Sequence, residues 1–472
     1  MIEGMDNRIY VDGGWQQAAG SDLIEVVNPA TEAVIGTVAA GSAADIDTAV
    51  AAARAAAPRW ASSSPEDRAR ILSGTADVLK ARADEASALI TAELGAPLSL
   101  SQRLHVGLPL SVLASYAELV MAYPFAEEVG NSVVWARPVG VVGAITPWNY
   151  PLHQIVTKVG AALAAGCTVV LKPAEDTPLI AYLLAEAFTE AGLPPGVVNV
   201  VSGRGPVAGQ ALVGHPDVDM VSFTGSTAVG RSIGAAAGGS LKRVALELGG
   251  KSANVILPGA DVTKAVKVGV GNAYLNGGQT CSAWTRMLVH ESAYDEAVAL
   301  AAAAAEKYAP GDPLDPATRL GPMVNSKQRD RVRGYIEAGI AEGARLVTGS
   351  VDAPIDRGYY VAPTVFADVQ PGMRIAQEEI FGPVLSILRY SDTDEALAIA
   401  NGTDYGLAGG VWAATSEEAS TFAAKMTTGQ VDINGGAFNP RAPFGGFKSS
   451  GIGRELGRHG ITEFVQYQSQ QF

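Results

Sequence analysis

At 472 residues the chain is too long for one ordinary core, so two or three domains are expected. Apolar residues make up 48% and charged residues 17%, the balance of a globular protein, which excludes extended disorder. A net charge of −14 leaves no basic stripe to displace counterions from phosphates, which excludes a nucleic-acid footprint and points to an acidic, solubilising surface.

In chain order, residues 1–20 lack the charged-then-apolar pattern of a signal segment. No unbroken run of about 18 apolar residues follows, so no membrane association is expected. Ser42-Ala43-Ala44-Asp45 is a capping box that opens an alanine-rich helix to about Trp60. Ser64-Pro65 opens another, which continues towards Leu94 until Gly95-Ala96-Pro97 stops it. From Val139 the pattern becomes strand–helix alternation. Short apolar runs at 139–145, 168–171, 197–201, 220–223 and 243–246 are separated by helical stretches at 152–165, 178–191 and 226–237. Continuous apolar runs of this kind predict parallel strands buried on both faces, in a doubly wound α/β sheet with ligands beyond the carboxyl strand ends. A second βα series runs from Ser252 to about Gly429, with strands at 253–257, 285–289 and 384–390. Segments 126–138 and 462–468 read as exposed strands seeking a partner, as another subunit could supply.

The two cysteines differ in setting, and nothing forces them to pair, which fits a reducing, cytoplasmic compartment. Cys167 enters an apolar strand and reads as an inert buried thiol. Cys281 ends the glycine-rich Gly277-Gly278-Gln279-Thr280-Cys281, which a structural cysteine does not need. Upstream, Glu247-Leu248-Gly249-Gly250-Lys251 places a carboxylate in a similar setting. A nucleophile and a separate base suggest covalent chemistry on a carbonyl. The structural alternative for Glu247 is a salt bridge to Lys251. The five histidines, at 105, 153, 215, 290 and 459, have no metal-ligand spacing, and no metal is expected.

Seven stretches in order carry a resemblance. They are Thr146-Pro147-Trp148-Asn149-Tyr150-Pro151, Leu171-Lys172-Pro173-Ala174-Glu175, Phe223-Thr224-Gly225-Ser226-Thr227, Glu247-Leu248-Gly249-Gly250-Lys251, Gly278-Gln279-Thr280-Cys281, Glu378-Glu379-Ile380-Phe381-Gly382-Pro383-Val384 and Pro443-Phe444-Gly445-Gly446-Phe447-Lys448-Ser449-Ser450-Gly451. Together they resemble the NAD(P)-dependent aldehyde dehydrogenase superfamily over essentially the whole chain.

The resemblance implies two Rossmann-like doubly wound domains and a small β element. The cofactor domain would comprise 1–121 and 139–248, and the catalytic domain 249–448. A bridging element of 122–138 and 449–472 would complete a neighbouring subunit's sheet in a homodimer or homotetramer. The implied reaction oxidises an aldehyde to a carboxylic acid. Cys281 would form a thiohemiacetal and then a thioester, Asn149 would steady the oxyanion, and Glu247 would activate the hydrolytic water. Asn149 could instead serve its own turn. A glutamate at 247 separates hydrolytic members from those that pass the acyl group to coenzyme A. A non-catalytic binding protein of the same fold is the further alternative.

There is no Gly-x-Gly-x-x-Gly after the first strand. Instead Gly225, Ser226 and Gly230 open a helix whose amides could hold a pyrophosphate, although Gly-Ser-Thr is also simply a good cap. The resemblance adds Ile145, Trp148, Lys172, Glu175, Glu379 and Phe381 to the cofactor site, with core packing as the other reading of Phe381. Glu175 favours NAD over NADP, because a carboxylate accepts from ribose hydroxyls and repels a 2′-phosphate. The substrate mouth would be lined by Tyr150, Thr280, Ser282, Phe438 and Arg441, which suits a medium-sized aliphatic or aromatic aldehyde. Arg441 could receive the distant carboxylate of an ω-oxo acid, or be a solvated charge. Lys158 and Glu455 match positions associated with proton relay, and an ion pair is the alternative.

Overall fold

The computed structural model describes residues 7–472. Its first sheet runs, in spatial order, Gly14–Gln17, Arg8–Val11, Val198–Val200, Thr168–Lys172, Val141–Ile145, Met220–Thr224, Arg243–Glu247 and Gly451–Ile452. The strands from Val198–Val200 to Arg243–Glu247 are parallel. Every residue of Val141–Ile145, Thr168–Lys172 and Met220–Thr224 is buried, as helices on both faces require. The order reverses beside Val141–Ile145, so a crevice opens there beyond the carboxyl ends. Register aligns that rim: Ile145 pairs with Lys172 and with Phe223, and Thr224 pairs with Glu247.

Proline at its first turn and Gly166 in the left-handed region (φ 94°) bound the helix Pro151–Ala165. The helix is buried along nearly its whole length, and a Cβ at Gly160 would press 3.0 Å from the Tyr116 ring. Behind it, Glu93 is wholly buried and accepts from the amides of Leu179 and Ile180, the first turn of Leu179–Glu190. Burial pushes this carboxyl up to about 8, while the two amides pull it back. Glu93→Ala would orphan both donors and is expected to destabilise by roughly 1–3 kcal/mol, with Glu93→Gln recovering part of the loss. The shift of the denaturation midpoint tests this.

The second sheet runs Arg345–Thr348, Thr364–Ala367, Val384–Tyr390, Arg286–His290, Ala253–Ile256, Gly409–Trp412 and Asp432–Ile433. All its pairings are parallel except the first. A separate three-stranded sheet joins Val465–Gln471, Ser132–Pro138 and Ala126–Val129, and every residue of Ala126–Val129 is exposed.

Several expectations need correction. The boundary at 449 is too early: Gly451–Ile452 pairs with Leu246 and Glu247 in the first sheet. The helix Gly457–Glu463 then seats Ile461 in the first core, Phe464 and Val465 follow it there, and the chain leaves only from Gln466 on. The second βα series reaches Ile433, not Gly429. The helix from Ser64 breaks at Arg82 into Pro65–Ala81 and Ala83–Leu94, where the guanidinium pairs with Glu85 and with Glu186 of a neighbouring helix. No glycine or proline marks that break, which is tertiary in origin. Leu98–Ala122 is one helical run long and apolar enough to cross a membrane by length and composition alone. Gln102, Arg103, His105 and Glu118 interrupt it, and Val112, Leu113, Tyr116 and Val120 pack in the first core.

Candidate active site

After the helix Val262–Ala273 the chain enters a tight turn in which Asn276, Gly277 and Gly278 all have positive φ. Gly278 can be nothing larger, since a Cβ would lie 2.1 Å from the Gly382 carbonyl oxygen. A Cβ at Gly250 would lie 2.3 Å from the Cys281 carbonyl oxygen. Glycines therefore let the Cys281 turn lie against both the Glu247–Lys251 strand end and the segment after Phe381.

Side-chain amides hold this turn. Asn276 Nδ2 donates to the Asn149 carbonyl at 2.8 Å, and Asn149 Nδ2 donates to the Gln279 carbonyl at 2.9 Å. Gln279 in turn donates to the Asn276 carbonyl and accepts from the Val324 amide. The Asn149 side chain thus reaches the cysteine turn and not its own backbone. Tyr150 hydrogen-bonds Thr280 Oγ1 at 2.7 Å, and His105 stacks on Tyr150 with centroids 4.9 Å apart.

Cys281 lies on the wall of a cavity of about 170 Å³. Tyr150, Thr280, Ser282 and Phe438 line it, together with Leu104, Leu108, His153, Gln154, Trp284, Phe444 and Asp432, which sequence reasoning missed. The four-residue spacings of Leu104 with Leu108 and of His153 with Thr157 mark shared helix faces, a signal that was available. Arg441 is a correction: it is not on the cavity wall and pairs with Glu118 at the surface.

Glu247 is 4% exposed, and neither carboxylate oxygen has a hydrogen-bond partner among the described residues. Lys251, the alternative salt-bridge partner, is also buried with its Nζ unpaired. Burial, with the Glu455 charge adding to it, holds the Glu247 carboxyl well above the usual range. Burial likewise pushes Lys251 down to about 7. The Cys281 thiol is pushed up by burial first and then by the Glu379, Glu247 and Glu455 charges. Lys158 and Glu455 form a buried ion pair.

On the crevice side, Lys172 Nζ donates to the carbonyls of Pro173 and Gly203 at 2.8 Å and lies 3.7 Å from a half-exposed Glu175. Ser226 caps the helix Thr227–Gly239 through the Val229 amide. Gly230 is a packing position, since a Cβ would meet Leu248 at 2.3 Å, and one at Gly225 would meet the Phe223 ring at 2.5 Å. Ile145 ends its strand buried. Glu379 accepts from the Gly250 amide at 3.1 Å, and burial pushes its carboxyl up to about 7. Phe381 has a left-handed φ of 67° and meets Trp148 edge to face at 5.4 Å, a strained placement that plain core packing does not require. The buried hydroxyls of Thr146 and Thr224, just past and at the ends of the two switch-point strands, have no hydrogen-bond partner among the described residues.

Two doubly wound sheets that meet at a cysteine turn, an unpartnered carboxylate and a nucleotide-type crevice define an α/β oxidoreductase. A family model described as the aldehyde dehydrogenase family matches residues 15–470, and the chain belongs to that family. It is 46% identical, over 97% of its length and 96% of the relative's, to a 3-succinoylsemialdehyde-pyridine dehydrogenase of Pseudomonas sp.. Among solved structures it is similar to aldehyde dehydrogenase C of Pseudomonas syringae, a cysteine-to-alanine mutant complexed with NAD+ and octanal. The TM-score is 0.98 and the identity 46%, over 99% of this chain and 97% of that one. It is also similar to a Mycobacterium tuberculosis aldehyde dehydrogenase complexed with NAD+, with TM-score 0.97 and 45% identity over 99% and 98% of the chains.

Proposed function

We propose that the protein oxidises a medium-sized aliphatic or aromatic aldehyde to its carboxylic acid with NAD as the oxidant. The single observation that supports this best is a thiol on the wall of a largely apolar cavity, under the charge of a desolvated carboxylate that has no hydrogen-bond partner among the described residues.

The crevice residues fit an adenine dinucleotide. Two orphaned threonine hydroxyls flank the switch point, and a helix amino terminus offers unpaired amides for a pyrophosphate. Lys172 and Glu175 would hold the adenosine ribose, Gly225 and Ser226 the phosphates, and Glu379, Phe381 and Trp148 the nicotinamide end. Glu175 favours NAD over NADP, since its carboxylate would repel a 2′-phosphate. NAD, when bound, supplies the acceptor for the hydrogen and electron pair that leave the aldehyde carbon.

Cys281 gives its proton to solvent, Sγ adds to the carbonyl carbon, and the C=O π pair moves to the oxygen as the carbon becomes tetrahedral. Asn149 Nδ2, with one of its two N–H bonds engaged by Gln279, has the other for the new oxyanion, alongside the Cys281 amide. Once the carbon has been oxidised, Cys281 holds the acyl group as a thioester. Glu247 then takes a proton from the attacking water, a task for which a carboxyl raised by burial is suited. The carbon–sulfur bond breaks, the acid departs, and the proton held by Glu247 passes to the sulfur, restoring the thiol.

Formation of NADH from NAD and hexanal, with no increase on adding coenzyme A, is the expected result. No NADH from any medium-sized aldehyde overturns the proposal. Asn149→Ala is expected to lower kcat by about 10²–10³ with a smaller effect on KM, and a near-normal kcat would return Asn149 to a purely structural role. The exposed edges Ala126–Val129 and Val465–Gln471 support assembly into a homo-oligomer.

A further inference from the structure

Leu104, Leu108, Leu275, Trp284, Phe438 and Phe444 give the Cys281 cavity mostly apolar walls. Two polar side chains on those walls have hydrogen-bonding capacity that the protein leaves unfilled. Asp432, on the edge strand Asp432–Ile433, accepts from Gln430 Nε2 at 2.9 Å through Oδ1, while Oδ2 takes no hydrogen bond among the described residues. Gln154 is 6% exposed, and its buried Oε1 has no hydrogen-bond partner among the described residues.

The charges around the cavity are one-sided. Among the described residues no lysine or arginine lines it. Glu455 on the wall is already neutralised by Lys158. His153 is held uncharged, because burial pushes its imidazole down to about 4. Burial holds the Asp432 carboxyl above its ordinary value, Gln430 pulls it back, and no cation acts on it. Arg441, the one arginine of the neighbouring loop, is bound to Glu118 outside.

We propose that Asp432 and Gln154 make this a charge-selective substrate site, which takes aldehydes whose far end carries a hydrogen-bond donor and turns away ω-oxo acids. This rests on aldehyde oxidation at Cys281 as described above and names the substrate class within it. An ammonium group at the far end can donate to both Asp432 Oδ2 and Gln154 Oε1, and a hydroxyl, with its single proton, donates to one of them. A terminal carboxylate brings a like charge into a space with low-dielectric walls and no cation, where repulsion is only weakly screened.

The test measures kcat/KM for hexanal, 6-hydroxyhexanal and 6-oxohexanoate, three aldehydes of one chain length. In the parent protein, 6-oxohexanoate is expected to fall at least about thirtyfold below hexanal, and 6-hydroxyhexanal to lie severalfold above it. Asp432→Asn is expected to raise the ratio of 6-oxohexanoate to hexanal by about tenfold, and Gln154→Leu to lower the ratio of 6-hydroxyhexanal to hexanal. Quenching of tryptophan fluorescence by NAD reports that each variant is folded. A parent protein that uses 6-oxohexanoate as well as hexanal overturns the proposal, as does a folded Asp432→Asn variant with unchanged ratios. In either case hexanal turnover by the parent leaves the underlying activity standing. No NADH from any of the three overturns both.

Discussion

Cys281→Ala is expected to lower aldehyde oxidation by about 10⁴-fold or more, since without the sulfur no covalent adduct can form on the carbonyl carbon. NAD binding should survive, because Lys172, Glu175, Gly225 and Ser226, which would hold the adenosine and the phosphates, lie at strand ends of the other sheet. Cys167 is the internal control. It is wholly buried, donates to the Phe464 carbonyl at 3.3 Å, and is pushed up to about 11 by burial. Cys167→Ala should therefore keep kcat/KM within about twofold and cost on the order of 1 kcal/mol of stability through the small cavity left behind. Measuring NADH production by both variants decides the matter, and substantial turnover by Cys281→Ala would end the covalent mechanism.

Glu247→Gln separates acylation from hydrolysis. A rapid burst of NADH is expected to remain, while the steady-state rate falls by about 10²–10³, in the range of a lost general base. The pH dependence has a definite sign. Glu247 must be ionised to accept a proton from water, and its carboxyl is raised by burial and by the Glu455 charge. The hydrolytic rate of the parent therefore climbs with rising pH through this raised value, at higher pH than an ordinary carboxylate would show, and the climb is lost in Glu247→Gln. The same shift makes the folded state favour the protonated form, so the Glu247 contribution to stability declines as pH rises through that value. Rapid-mixing measurements across pH report both the burst and the slope. A steady-state rate equal to the parent's would remove Glu247 from the mechanism.

Much of the first sheet was legible because its signals are local. Continuous apolar runs mark its parallel strands, and Gly166 marks the end of a helix wherever the chain is placed. The capping box at Ser42 and Asp45 forms as expected, with the Asp45 carboxylate accepting from the Ser42 amide at 2.8 Å. The hairpin of Arg8–Val11 with Gly14–Gln17 and that of Leu23–Asn28 with Ala33–Ala39 were not foreseen, being short strands of mixed polarity whose pairing depends on the surface they cover. The place of residues 449–463 was also hidden, since Gly451–Ile452 finds its partner about 200 positions away in sequence.

By itself the sequence determined the two sheets' strand–helix rhythm, the glycine turn around Cys281 and the carboxylate at the end of Arg243–Glu247. Each depends on backbone conformation or apolar patterning within a few neighbours. Only the tertiary structure decided that Glu247 and Lys251 do not pair, that Asn149 reaches the Gln279 carbonyl, and that Arg441 turns to Glu118 while Asp432 lines the cavity. Desolvation and pairing are sums over groups brought together from distant parts of the chain, and no local pattern encodes such a sum.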